Sequence, residues 1–285
     1  MDVEFRRIRT NGITLNCALS GPEDGPLVFL LHGFPEFWYG WRNQIAPLAL
    51  AGYRVVIPDQ RGYNDSDKPK GVAAYDIDLL ADDIAGLADA LCRKRFAVVG
   101  HDWGGIVAWW LAQRHPERVE RLAILNVGHP AVWMNAIRTN PAQRRLSYYV
   151  FIFSVRVLPE IALRAARFRA MTTALKQANR RDAFTDADLA RYRAAWSKKG
   201  ALTAMINWYR AVLRKDLKLS AVPRYRMPVR IIWGLGDIYG LPELATESAK
   251  LCDDARILYV EHATHWVAHE EPERVNRALL EFLAG

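Results

Sequence analysis

The chain has 285 residues, of which 51% are hydrophobic, 25% charged and 11% aromatic. That composition excludes a disordered, collagen-like or coiled-coil chain, and the length suffices for a large core without disulfides or metal clips. Cys17, Cys92 and Cys252 are scattered and form no CxxC pair, so neither a disulfide framework nor a zinc cluster is expected.

No apolar run approaches the roughly 18 residues needed to span a bilayer, and the first residues lack the apolar core of a signal peptide. A soluble cytoplasmic protein is the expectation. Lys and Arg number 39 against 31 Asp and Glu, a net charge of +8. The excess is concentrated: residues 131–222 hold 18 basic and 5 acidic side chains, net +13, which leaves −5 for the rest. Such a segment can steer anions or touch an acidic membrane surface peripherally, or it can be a solvated helical face. No zinc-finger, RNP or Gly-Lys-rich pattern points to nucleic acid.

In chain order, short β-rich runs predict strands near 5–9 and at 14–19, 27–31, 54–57, 96–99, 122–127, 229–233 and 257–260. Most of the middle ones are apolar on both faces, as parallel strands covered on both sides must be. Helical patterns fall at 79–92, 106–115 and 273–283. The alternation predicts a doubly wound α/β sheet. It stops after His129-Pro130 and resumes at Met227-Pro228. We therefore expect a core of 1–130 and 223–285, with 131–222 inserted as a basic helical cap.

The strand at 96–99 runs into Gly100-His101-Asp102-Trp103-Gly104-Gly105 and then an apolar helix. This fits a nucleophile elbow, G-x-Nu-x-G, with Asp102 as nucleophile. Glycines suit a sharp strand-to-helix turn that leaves no room for Cβ atoms. The helix start offers the backbone N–H of Trp103 and a positive dipole end. His32-Gly33-Phe34-Pro35 leaves the strand at 27–31 and offers the N–H of Phe34 as a second oxyanion donor. Asp237 ends the glycine loop after the strand at 229–233. Seven histidines compete as the base. His265, in the loop before the last helix, is preferred, with His262 as the alternate. Asp102, Asp237 and His265 then follow the nucleophile–acid–base order of α/β hydrolases.

Across its whole length the chain resembles the epoxide hydrolases of the α/β-hydrolase fold. The residues that carry the resemblance include His32-Gly-Phe-Pro-Glu-Phe-Trp38, Asp59-Gln-Arg-Gly-Tyr63, Gly100 to Gly105, Asn126-Val-Gly-His-Pro130, Gly234-Leu-Gly-Asp237 and His265-Trp266. The resemblance implies an eight-stranded, mostly parallel sheet and two cap tyrosines that hold the epoxide oxygen. The matching positions are Tyr209 and Tyr149, with Tyr148 adjacent. Gly128 stands where the family commonly has proline, and Phe153-Ser-Val-Arg replaces its usual Phe-Gln-x-Pro.

An aspartate can displace at a saturated carbon and form an alkyl ester, where serine would attack acyl carbons. A phenol can protonate the opening epoxide oxygen. His265, oriented by Asp237, would then activate water against the ester. The resemblance thus implies conversion of a small-molecule epoxide to a vicinal diol, with no metal or cofactor. Trp38, Trp208 and Trp266 are candidate pocket walls. The rival is a haloalkane or haloacid dehalogenase, in which the same three residues act and Trp103 helps to hold halide.

Overall fold

In the computed structural model, which describes residues 3–177 and 183–285, the chain begins as a hairpin. β1 (Glu4–Thr10) and β2 (Ile13–Ser20) pair antiparallel through Asn11-Gly12. Both turn residues have positive φ, 42° and 78°, as a two-residue hairpin turn requires. β3 (Leu27–Leu31) and β4 (Arg54–Pro58) follow, and then β5 (Phe96–His101), β6 (Val119–Leu125), β7 (Val229–Gly234) and β8 (Ala255–Val260). They form one eight-stranded sheet in the order β1-β2-β4-β3-β5-β6-β7-β8. β2 meets β4 antiparallel, and every later pairing is parallel.

Every residue of β3, β4 and β5 is buried, because both sheet faces are covered. α1 (Arg42–Leu50) packs on one face with a helix at the chain's end, contributing Ile45 and Leu48 beside Leu279 and Phe282. On the other face, α2 (Ile77–Ala90) and α3 (Trp103–Arg114) bury Leu80, Ile84, Ile106 and Trp109. Between β6 and β7 there is no strand among the described residues. The chain runs instead through α4 (Pro130–Thr139), α5 (Pro141–Leu146), α6 (Tyr148–Ser154), α7 (Leu158–Leu175), α8 (Asp186–Ser197) and α9 (Ala201–Val212). α7 is kinked where residues 166–168 take left-handed φ. α10 (Glu243–Ala249), α11 (Val267–Glu270) and α12 (Pro272–Ala284) complete the fold. The charge count for 131–222 includes 178–182, which lie outside the described residues.

Several boundaries differ from the sequence expectation by two or three residues, and two of them bear on the site. β5 continues through Gly100 to His101, and β6 covers 119–125 instead of 122–127. The reason for the second is Asn126, whose φ of 49° takes the chain out of the sheet.

The inserted helices are fastened to the loops after β3 and β4 by donors that would otherwise be buried without partners. Trp196 donates to the Pro35 carbonyl (2.5 Å), Tyr192 to Glu36 (2.6 Å) and Trp208 to the Arg61 carbonyl (3.0 Å). The loop that receives Trp208 is itself anchored by a buried pair. Arg61 donates Nε and Nη2 to the two oxygens of Asp83 on α2, at 2.7 and 2.6 Å. Removing one partner of such a pair strands the other charge, which costs about 3–5 kcal/mol. Asp83→Asn should therefore lower the unfolding free energy by about that amount in urea titration. A loss below about 1 kcal/mol would contradict this account of the anchor.

Candidate active site

Asp102 occupies the turn between β5 and α3 with φ 51° and ψ −124°, a conformation rarely adopted by a residue with a side chain. Two close approaches make it possible. A Cβ on Gly104 would overlap the Leu31 carbonyl, and one on Gly33 would overlap the Asp102 side chain. The carboxylate therefore lies directly against the backbone leaving β3. There the Phe34 N–H donates to Asp102 Oδ1 at 2.7 Å. Trp103 is the first residue of α3, at the helix end where N–H groups have no partner within the helix.

The other oxygen of Asp102 faces His265. His265 Nε2 is 3.6 Å from Asp102 Oδ2, and its Nδ1 is 2.9 Å from Asp237 Oδ2. Asp237 is almost wholly buried. Its Oδ1 accepts from the N–H groups of Tyr239 (2.7 Å) and Gly240 (3.3 Å), and its Oδ2 accepts from Asn126 Nδ2 (2.7 Å). Burial alone would push the His265 pKa down. The Asp237 carboxylate, aided by Asp102, outweighs burial and raises it to about 10. In the free protein His265 is therefore an imidazolium held between two carboxylates. His262, the alternate, lies on the surface one turn away.

A cavity of about 940 Å³ opens above Asp102 and His265, beneath the inserted helices. Phe34, Tyr149, Phe153, Tyr209, Tyr239 and Trp266 are among its walls. Tyr149 on α6 and Tyr209 on α9 stand edge to face, with ring centroids 5.9 Å apart. Among the described residues no acceptor takes a hydrogen bond from either hydroxyl. Burial, and next the Asp102 carboxylate, push both phenols well above their ordinary pKa, so both stay protonated at neutral pH. Tyr148 also borders the cavity but is 62% exposed, at the mouth.

A family model described as the alpha/beta hydrolase fold matches residues 26–272. The AB hydrolase superfamily protein YfhM of Bacillus subtilis is 48% identical over 282 residues, spanning 99% of this chain and 98% of that protein. Epoxide hydrolase 1 of Caenorhabditis elegans is 37% identical, across 98% of this chain and 70% of that one. A Bacillus megaterium epoxide hydrolase, solved with an inhibitor, superposes with a TM-score of 0.89 at 30% identity, covering 98% of this chain and all of that one. The chain belongs to the epoxide hydrolase family of α/β hydrolases.

In this α/β hydrolase, then, Phe34, Asp102, Tyr149, Tyr209, His265 and Trp266 line one cavity, with Asp237 against His265 and Trp103 packed edge-on to Tyr209. Two expected wall residues do not. Trp38 packs against Phe5 and Phe37, and its backbone N–H donates to the buried Asp59, away from the cavity. Trp208 is buried behind Trp103 and Tyr63. Both are corrections: their rings point away from the neighbours in sequence that suggested them.

Other contributors carry no signal of spacing. Asn126 bridges Asp237 and the Gly234 N–H (3.1 Å), and Tyr239 stacks edge-on to His265 with centroids 4.9 Å apart. Behind His265, His101 donates to the His265 carbonyl (2.8 Å) and approaches Glu36, which also receives His269 (2.8 Å) and Tyr192. Burial opposes ionisation of Glu36, but His269 and His101 outweigh it and hold the carboxyl well below its usual range. His32, by contrast, is kept neutral by burial, at about 4, and its Nε2 accepts from the Gln60 N–H at 3.1 Å. Its role is to hold that loop.

Because Asp102 is one of the charges that raise the His265 pKa, Asp102→Asn should lower it. The low-field proton signal of the His265 imidazolium should persist in the unmutated protein from pH 7 to about 9 and should titrate at lower pH in the variant. Identical titrations would mean that Asp102 does not act on the imidazole.

Proposed function

We propose that this protein is an epoxide hydrolase that opens a small-molecule epoxide to a vicinal diol through an alkyl ester on Asp102. The observation that carries the reading is the placement of two protonated phenols, Tyr149 and Tyr209, on the wall of the cavity floored by Asp102 and His265. A carboxylate below and proton donors above are what opening a strained C–O bond requires. We further propose that 1–130 and 223–285 form the core and that 131–222 is the lid carrying the phenols.

Asp102 Oδ1 is held by the Phe34 N–H, which leaves Oδ2 to attack carbon. The epoxide C–O bond breaks and its oxygen takes a proton from Tyr149 or Tyr209. Esterification removes the charge of Asp102, so the pKa of His265 falls. Its proton can then return to the phenolate, and the neutral ring can take one from water. The resulting hydroxide attacks the ester carbonyl. The N–H groups of Phe34 and Trp103 stabilise the oxyanion, worth about 10²–10³ in rate for a donor lost. The intermediate collapses, the diol oxygen leaves with a proton from His265, and the carboxylic acid left at Asp102 passes its proton to His265, which restores the carboxylate and the imidazolium. Asp237, fixed by Asn126 and two backbone N–H groups, keeps the ring oriented throughout.

A haloalkane dehalogenase could share the aspartates and the histidine, with Trp103 as a halide donor. It would have no use for two phenols facing the nucleophile, and Phe34 supplies no side-chain donor for halide.

Offered an aryl epoxide and a primary bromoalkane together, the protein should release diol and no bromide. Tyr209→Phe should slow ester formation on the order of 10²-fold in single-turnover measurements. Bromide without diol, or an unchanged rate in the variant, would overturn the reading.

A further inference from the structure

The lid carries an apolar surface that the fold does not bury and that meets the cavity only at its mouth, at Tyr148. Of the eleven exposed large hydrophobic side chains among the described residues, seven fall between positions 148 and 161. Ile152, Val157, Leu158 and Ile161 are 50–66% exposed. α6 buries Val150 and Phe153 on its inner side, as a surface helix should, but its outer side bears Phe151 and Ile152 where polar residues are the rule. The turn into α7 continues the same face with Val155, Val157 and Leu158. A monomer that gained nothing from this ridge would be expected to cover or replace it.

The charge around the ridge is of one sign. From 131 to 177 the sequence has eight Lys and Arg and a single acidic residue, Glu160. Glu160 is already neutralised by both Nη groups of Arg210, at 2.7 and 3.0 Å. Arg145, Arg156, Arg164 and Arg169 are exposed, and none pairs with an acidic side chain among the described residues. An apolar ridge flanked by unpaired guanidinium groups complements anionic headgroups above acyl chains. A second copy of the chain complements it poorly, because like surfaces would bring arginines against arginines.

We propose that the 148–161 ridge docks this protein on the surface of an anionic phospholipid bilayer. The side chains of Ile152, Leu158 and Ile161 enter the headgroup–acyl boundary while Arg156 and Arg164 contact phosphates. Tyr148 and Arg145 belong both to this region and to the mouth of the cavity, so docking brings that mouth to the membrane. Delivery of an apolar epoxide from the bilayer rests on the proposed function, whereas docking itself does not.

The test is sedimentation of the full chain with phosphatidylcholine vesicles made with and without phosphatidylglycerol. We expect binding to the anionic vesicles that weakens as salt is raised. The pair Arg156→Gln and Arg164→Gln should reduce it about tenfold or more, given the usual contribution of each basic residue near such a surface. The pair Ile152→Ser and Ile161→Ser should do the same. Both double variants should hydrolyse a water-soluble epoxide at the unaltered rate, which separates failure of docking from failure of the enzymatic reading. No binding, or binding indifferent to phosphatidylglycerol and to the arginines, would overturn the proposal. So would a dimer in solution that the isoleucine variants abolish. If the isoleucine variants unfold, the arginine pair decides.

Discussion

His265 lies between Asp237 and Asp102, 2.9 and 3.6 Å from their nearest oxygens, and the surrounding architecture holds that arrangement nearly buried at the floor of the cavity. A charged imidazole inside a protein is costly unless carboxylates compensate it. Two do so here, and each is itself satisfied: Asp237 by Asn126 and two N–H groups, Asp102 by the Phe34 N–H. The compensation is asymmetric. Asp237 has no free lone pair directed at the cavity, whereas Asp102 Oδ2 faces the imidazole and the space beneath the phenols. If Asp102 is alkylated, the base loses one of the charges that made it cationic. In the proposed mechanism, charge loss at Asp102 and activation of His265 are thus coupled across that 3.6 Å approach.

Local features of the fold follow from this centre. Parallel strands end together at one edge of the sheet, and the loops after β3, β5, β6, β7 and β8 carry Phe34, Asp102, Asn126, Asp237 and His265. Residues far apart in the chain therefore converge without any long-range signal in the sequence. Positive φ at Asp102 and at Asn126 holds the backbone in an unfavourable conformation that aims each side chain into the site. The inserted helices are docked through indole and phenol donors onto the loops after β3 and β4, and Tyr209 lines the same cavity as Asp102. The Arg61–Asp83 pair and the Glu36 cluster hold those loops from behind.

Much of this was legible before the structure. The central strands read clearly because both faces are apolar, and the elbow read clearly because its glycines have a steric reason that a neighbouring Cβ makes explicit. The order of Asp102, Asp237 and His265 in the chain anticipated three side chains that the fold brings within contact. The resemblance to epoxide hydrolases, and not periodicity, singled out Tyr149 and Tyr209. What stayed illegible was orientation. Trp208 adjoins Tyr209 in sequence, yet one helical step of about 100° turns its indole to the Arg61 carbonyl and away from the cavity. Trp38 belongs to a motif-bearing loop but points to β1. The roles of the Asn126, Tyr239 and Glu36 side chains escaped because their side-chain partners are 26 to 233 positions away, a relation that only the folded sheet creates.

The central claim, attack by Asp102 on carbon, is tested most directly by tracing oxygen. A single turnover with enzyme in excess, in water enriched in ¹⁸O, should give diol without the label. Its new oxygen would come from Asp102, and digestion should locate ¹⁸O in the peptide containing that residue. Label in the diol from the first turnover, with none in the Asp102 peptide, would mean that water attacks the epoxide directly and would contradict the account.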